Sequence, residues 1–425
     1  MTTTKAPTLT VSDPTSLGFD PERLERVDAF IQSNYLDTGL YPGFSLLVSR
    51  NGQIAHLSVQ GHRNAETSAP MTEDTLVRIF SMTKPITSVA MLALYEEGLF
   101  RLEDPVSKFI PSFGDLRVWE DGNTDNYTTR HPEREVTIRD LFTHTSGLTY
   151  GFMKRHPVDS LYRRNGIDAG SQKLESWVDS LTELPLLFNP GSQWSYSVAT
   201  DVLGRLVEVI GGEPFDRYLQ RRIFDPLAMV DTTFTVADDD ADRLASLYTV
   251  PSLSPFAVPE GADGDEKLLI DDGGPESQWR RPAVYQSGGG GLVSTIGDYH
   301  RFTQMLLNGG VLDGQRILGR KTLQYATTNH LPGGGDLASM GQAVFSETTY
   351  DGIGFGLGFS VVLDPAASQV IGSAGAYGWG GAASTLFWVD PAEDLAVIGL
   401  TQLMPSSAYP IREELRPLVY SALVD

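Results

Sequence analysis

A serine hydroxyl and a lysine amine stand three residues apart in Ser81-Met82-Thr83-Lys84. On a helix, positions i and i+3 share one face at about 5–6 Å between Cβ atoms, so the amine can reach the hydroxyl. A free serine is a poor nucleophile at neutral pH and acts only with a base beside it. Of the seven lysines, Lys84 alone has a serine three residues upstream. Chance produces such a pair in many chains, so it points to chemistry only together with other groups.

Two further stretches provide such groups. Pro190-Gly191-Ser192-Gln193-Trp194-Ser195-Tyr196-Ser197-Val198 carries Tyr196, whose phenol becomes a candidate proton carrier once Ser81 and Lys84 are considered with it. Tyr377-Gly378-Trp379-Gly380-Gly381-Ala382 precedes a strand-like run, and its small residues would let backbone approach a ligand. The bland readings are an aromatic packing residue for Tyr196 and a structural glycine turn for 377–382. His144 invites a Ser-His-Asp reading with Ser81 or Ser146. No Gly-x-Ser-x-Gly elbow occurs in the chain, which disfavours that triad. The seven histidines form no His-Glu-x-x-His or comparable ligand spacing, so neither a metal nor another cofactor is expected.

The elements that must position these groups are legible as periodicities. Thr83 and Lys84 lead into a helix with Pro85 in its first turn and Gly98 at its stop, which puts Ser81 at a helix N-terminus. There, unpaired N–H groups and the positive dipole end favour a developing anion. Helical spacing recurs at 21–35, 137–143, 174–181, 199–210, 214–223, 296–307 and 413–423. Strand patterns occupy 43–49 and 54–59, joined at Asn51-Gly52, and 356–363, 383–389 and 395–401. Ser287-Gly288-Gly289-Gly290-Gly291 lacks the Gly-Lys-Ser/Thr ending of a phosphate loop, so close backbone packing is expected there. The acidic stretches at 238–240 and 259–274 read as solvated loops. The resulting organisation is a polar leader over 1–18, an α/β domain from 19–100 and 284–425, and a mostly helical insertion over 101–283.

A 425-residue chain that is 41% hydrophobic can fill a sizeable core. A formal charge of −22 argues against binding nucleic acid or anionic membranes. The absence of cysteine excludes a disulfide framework and a thiolate nucleophile. No run reaches the 18 or so apolar residues of a membrane span, and the first residues lack an apolar signal core. A cytoplasmic protein acting on a small molecule is the expectation.

With these elements in order, the chain resembles the serine β-lactamase and penicillin-binding-protein superfamily, particularly class C β-lactamases and family VIII carboxylesterases. The resemblance spans about residues 20–420. It rests on Ser81-Met82-Thr83-Lys84, Leu141-Phe142-Thr143-His144-Thr145-Ser146-Gly147-Leu148, Pro190-Gly191 with Trp194-Ser195-Tyr196-Ser197, and Gly289-Gly290-Gly291-Leu292. It implies an α/β plus α fold, an antiparallel sheet flanked by helices with the helical insertion. It also implies Ser81 as nucleophile, with Lys84 and Tyr196 moving its proton. Which of the two takes that proton first stays open, because a phenol and an ammonium so close titrate as one unit. The oxyanion hole would be the N–H groups of Ser81 and Ala382, and Trp379, Gly380 and Gly381 would line the substrate.

Two departures set the expected specificity. Val198 replaces the asparagine of a Tyr-x-Asn pattern, and Trp379 stands where β-lactam enzymes carry a lysine. Both changes resemble the esterase branch. With no cation at that position, hydrolysis of short neutral acyl esters through an acyl-serine is expected. The alternatives are β-lactam or D-amino-acid amide cleavage, acyl transfer to an alcohol, and non-catalytic ligand recognition.

Overall fold

The computed structural model describes residues 7–167, 170–251, 253, 267–341 and 350–425. Its centre is an eight-stranded sheet drawn from both ends of the chain. The N-terminal part supplies β1 (Gly43–Arg50), β2 (Gln53–Asn64) and β3 (Ala69–Pro70). Two further strands, β4 (Val118–Asn123) and β5 (Asn126–Arg130), form a separate hairpin. The C-terminal part supplies β6 (Ile353–Phe355), β7 (Ser360–Val362), β8 (Tyr377–Gly380), β9 (Leu386–Asp390) and β10 (Leu395–Leu400). Their order is β6-β7-β8-β9-β10-β1-β2-β3, and neighbouring strands run antiparallel.

Burial on both faces explains why β1, β9 and β10 read as almost continuous apolar runs. Successive side chains of a strand point to opposite sides. Leu46, Val48, Leu386, Trp388, Leu395 and Val397 pack on α1 (Pro21–Ile31) and on the C-terminal helix at Ile411, Leu415 and Val419. Leu47, Phe387, Val389, Ala396 and Ile398 join the larger core with α2 (Thr83–Glu96). A one-residue slip in register would exchange these two sets.

Other helices include α3 (Ile138–Phe142), α4 (Pro157–Arg164), α5 (Leu174–Thr182), α6 (Ala199–Gly211), α7 (Phe215–Leu219), α8 (Ile296–Leu307) and α9 (Ile411–Tyr420). All but α4, which the sequence reading missed, lie where helical spacing was read. Helix α2 is buried from Thr83 through Leu94, and α6 packs along it. Such all-round burial suits a helix at the centre of a protein. No helix among the described residues is long and apolar enough to cross a membrane.

Several expectations need correction. The single strand expected over 356–363 is a hairpin, β6 and β7, with Gly358 at φ 96° in its turn. The stretch before Ala383 is itself a strand, β8, because Tyr377 pairs with Val389 and Gly380 with Leu386. Ala383 to Thr385 instead form the turn, with Ser384 at φ 63°. The stretch read as mostly helical also carries the β4–β5 hairpin and the short strands Leu247–Thr249 and Leu269–Asp272. Leu17 of the polar leader is buried, and the Ser12 N–H donates to the Ile54 carbonyl at 2.8 Å. Part of the acidic 259–274 stretch lies outside the described residues.

Candidate active site

Ser81 lies in a single 3₁₀ turn, Phe80–Met82, immediately before α2 begins at Thr83. The helix starts two residues later than Ser81, so the serine is just outside its first turn. Phe80 has φ 42°, a left-handed conformation that is strained for a large side chain. It packs edge-on against Trp279, with ring centroids 5.9 Å apart. The strained residue directly precedes the nucleophile candidate and presents it to the cavity described below.

Lys84 follows on the first turn of α2 and is 2% exposed. Its Nζ donates to Ser81 Oγ at 3.2 Å and to the Gly289 carbonyl at 2.7 Å. The glycine run therefore serves packing, as expected, and also provides a partner for the buried ammonium. A Cβ added at Gly288 would lie 2.6 Å from the Thr200 carbonyl, and one at Gly289 would lie 2.6 Å from Asp201 Oδ2. Only glycine lets this strap lie so close to α6.

Tyr196 reaches Ser81 from a segment without regular secondary structure. That segment is fastened to the loop after α3: Gly191 N–H donates to the Thr145 carbonyl at 2.7 Å, and Ser195 N–H to the His144 carbonyl at 2.9 Å. The loop in turn hangs on Asp140, whose carboxylate accepts from Thr137, Thr145 and Arg134. The Tyr196 hydroxyl donates to Ser81 Oγ at 2.7 Å. Lys84 Nζ lies 4.6 Å from the Tyr196 ring centroid. Serine, amine and phenol therefore meet at one oxygen.

His144 takes a different place. Its Nδ1 lies 3.0 Å from Ser197 Oγ, and its ring packs 5.1 Å from that of Tyr196. Burial first, and the Lys84 charge second, hold it well below the usual histidine range. A neutral imidazole is thus wedged behind the phenol, and among the described residues it makes no hydrogen bond to Ser81 or Ser146. A neutral ring avoids placing a second cation beside Lys84.

The third stretch closes the opposite wall. Trp379 Nε1 donates to the Tyr196 hydroxyl at 3.3 Å. Gly381 N–H donates to the Thr385 carbonyl at 2.8 Å, which shapes the turn holding Ala382. Ser81, Trp379, Gly380, Gly381 and Ala382 line one cavity of about 420 Å³. The structure thus brings all the expected site residues to one place. Among the described residues, no cluster of histidine and carboxylate side chains could hold a metal ion.

Several lining groups were not read from the sequence. Tyr150, Phe152, Ile167, Tyr285 and Tyr350 form an apolar and aromatic wall. Asp201 and Arg412 add two charges. Position 379 carries no cation, but α9 brings Arg412 to the same cavity wall, where Nη2 donates to the Gly381 carbonyl at 2.7 Å and the Thr385 carbonyl at 3.0 Å. Sequence spacing around Trp379 could not show it, because Arg412 arrives from a different element. Tyr150 had a signal in its position two residues after Leu148, at the end of the Leu141–Leu148 motif.

Comparison with known proteins agrees with this architecture. Residues 30–420 match the Beta-lactamase family model. Esterase EstB of Burkholderia gladioli is 33% identical over 425 residues, covering 96% of this chain and 98% of its own. Protein Rv1367c of Mycobacterium tuberculosis is 35% identical over 372 residues, 87% of this chain and 88% of its own. Among solved structures, EstCE1, described as a hydrolase with promiscuous acyltransferase activity, superposes with a TM-score of 0.75 at 25% identity, covering 94% of this chain and 99% of its own. Unliganded simvastatin synthase LovD from Aspergillus terreus shares the fold, with a TM-score of 0.74 at 22% identity over 95% of this chain and 98% of its own.

Proposed function

The chain belongs to the Beta-lactamase family, and from that premise we propose that it is a serine carboxylesterase of the family VIII kind, with Ser81 of the Ser-x-x-Lys motif as nucleophile. The observation that carries this reading is the shared position of Ser81 Oγ, 2.7 Å from the Tyr196 hydroxyl and 3.2 Å from Lys84 Nζ. Similarity to Esterase EstB supports ester hydrolysis as the reaction.

The steps follow from the geometry. With one proton already gone from the Lys84–Tyr196 pair, the pair accepts the Ser81 proton as Oγ bonds to the ester carbonyl carbon. The carbonyl oxygen becomes an anion held by the N–H groups of Ser81 and Ala382, where preorganised donors act in a partly dry cavity. Collapse breaks the bond to the alcohol oxygen, which takes the proton back from the pair. Water then repeats the sequence on the acyl-serine, releasing the acid and restoring the Ser81 hydroxyl. Trp379 holds the phenol oxygen in place through its N–H, while Gly380 and Gly381 let the strand pack where a Cβ would strike Arg412 and the Ile79 carbonyl.

The substrate is a neutral acyl ester. The cavity wall of Tyr150, Phe152, Ile167, Tyr285 and Tyr350 gains from burying apolar surface. Val198 offers no amide where a β-lactam enzyme of this pattern has one, and Trp379 offers an indole in place of a cation. An anionic antibiotic would lose water there without a dedicated partner.

Labelling with a fluorophosphonate, read by mass spectrometry, tests the assignment. The adduct is expected on the peptide containing Ser81, together with hydrolysis of nitrophenyl butyrate that Ser81→Ala abolishes. A label on Ser146, or full activity in Ser81→Ala, would overturn it.

A further inference from the structure

We propose that Asp201 is a positioning residue for this chemistry: through Gly289 it fixes Lys84 against Ser81 and supplies the negative charge that the buried ammonium otherwise lacks. The inference rests on the reading of Ser81 as nucleophile.

Asp201 stands in the first turn of α6 and is 2% exposed. Its Oδ1 accepts from Gly289 N–H at 3.1 Å and from Ser287 Oγ at 2.5 Å. The carbonyl of the same Gly289 accepts from Lys84 Nζ at 2.7 Å. One glycine therefore turns its N–H to a carboxylate and its carbonyl to an ammonium, so both dipoles are oriented favourably by the flanking charges. A Cβ at Gly289 would lie 2.6 Å from Asp201 Oδ2, so the carboxylate packs directly against this backbone.

Charge balance gives the second line of argument. A buried ammonium without a counter-charge is costly. Among the described residues, no carboxylate lies within 4.0 Å of Lys84 Nζ, and Val198 replaces the amide of the Tyr-x-Asn pattern. Asp201 is the one carboxylate among the described residues that line the cavity. The other groups facing Lys84 are the rings of Tyr196 and Tyr150, at 4.6 and 5.4 Å, and the neutral His144; Arg412 lines the same cavity. None of these is a carboxylate. The acidic residue at the α6 N-terminus also suits the helix dipole, and that purely structural role is what the test must separate.

Three variants do so: Asp201→Asn keeps an acceptor for Gly289 N–H but removes the charge, Asp201→Ala removes both, and Ser287→Ala keeps the charge. The readout is the rate of fluorophosphonate labelling at Ser81 across pH, with melting temperature as the check on folding. An anion holds the proton on the Lys84–Tyr196 pair, so removing it lets the proton leave at lower pH. Asp201→Asn is expected to move the acidic limb down by about one pH unit and to lower the maximal rate roughly tenfold, by the usual size of a nearby-charge effect. Asp201→Ala should lose more, and Ser287→Ala should keep the wild-type limb. An unmoved limb in Asp201→Asn, whether the rate is unchanged or falls equally in all three variants, overturns the proposal. Absence of wild-type labelling at Ser81 would instead overturn the nucleophile assignment.

Discussion

The indole N–H of Trp379 points at the phenol oxygen of Tyr196 from 3.3 Å, and the same phenol donates to Ser81 at 2.7 Å. Trp379 is therefore part of a chain of hydrogen bonds ending at Ser81. It adds a neutral donor to an oxygen that must alternately hold and release a proton.

Trp379→Phe should accordingly slow turnover while leaving ground-state binding nearly intact. A hydrogen bond of this kind is worth about 0.5–1.5 kcal/mol net, which corresponds to a roughly three- to tenfold lower kcat. Steady-state kinetics on nitrophenyl butyrate would show it. A rise in KM alone would mean that the indole acts only as a wall.

Lys84→Ala and Tyr196→Phe are each expected to lower kcat by roughly 10²-fold or more, the usual contribution of a positioned proton carrier. Because both touch Ser81 Oγ, the double variant should lose far less than the product of the two effects. Full multiplicativity would show two independent groups.

Chain length should be read by the aromatic wall. Along nitrophenyl esters from acetyl to hexanoyl, kcat/KM should rise, each added methylene contributing up to about 0.8 kcal/mol when buried. Phe152, stacked on Tyr150 at 4.6 Å, lines this cavity, so Phe152→Ala should flatten the rise. A chromogenic cephalosporin should turn over at least ~10²-fold less efficiently than the butyrate, given the cost of burying its carboxylate. Comparable values for the two would refute the ester preference.

Acid stability offers a test away from the site. Burial first, then the Arg301 charge, lowers His300 to about 4, whereas in the unfolded chain this imidazole titrates at its ordinary 6.5. Between those values the unfolded state binds a proton that the folded state refuses, so stability is lost as pH falls from 6.5 towards 4. Asp298, pushed up to about 6 chiefly by burial, works the other way by taking a proton in the folded state first. Comparing wild type with His300→Leu removes this common background. The unfolding free energy of the variant should gain on wild type as pH falls from 6.5 to 4.5, by on the order of 1 kcal/mol per pH unit. A constant gap would contradict it.

Much of this architecture was legible in the chain because it is local. The spacing of apolar residues marked α1, α5, α6 and α8, and the Asn51-Gly52 turn marked the β1–β2 hairpin, since helix and strand periods depend on near neighbours. Ser81 and Lys84 could be paired for the same reason, being one helical turn apart. Residue types alone nominated Tyr196 and the 377–382 stretch, and the resemblance to a known family assigned their roles.

What the tertiary structure decided is which distant groups meet. Tyr196 reaches Ser81 across 115 residues of sequence, and the Gly289 carbonyl reaches Lys84 across 205. No period in the sequence encodes such contacts. They arise because α2 is buried between the sheet and α6, so every segment packed on that helix must place a polar group near Lys84 or leave it unpaired. The same packing brought Asp201 to Gly289, and α9 brought Arg412 to the wall that Trp379 lines. The chain composition specifies the chemistry available; burial of the sheet and α2 determines which of those groups share one cavity.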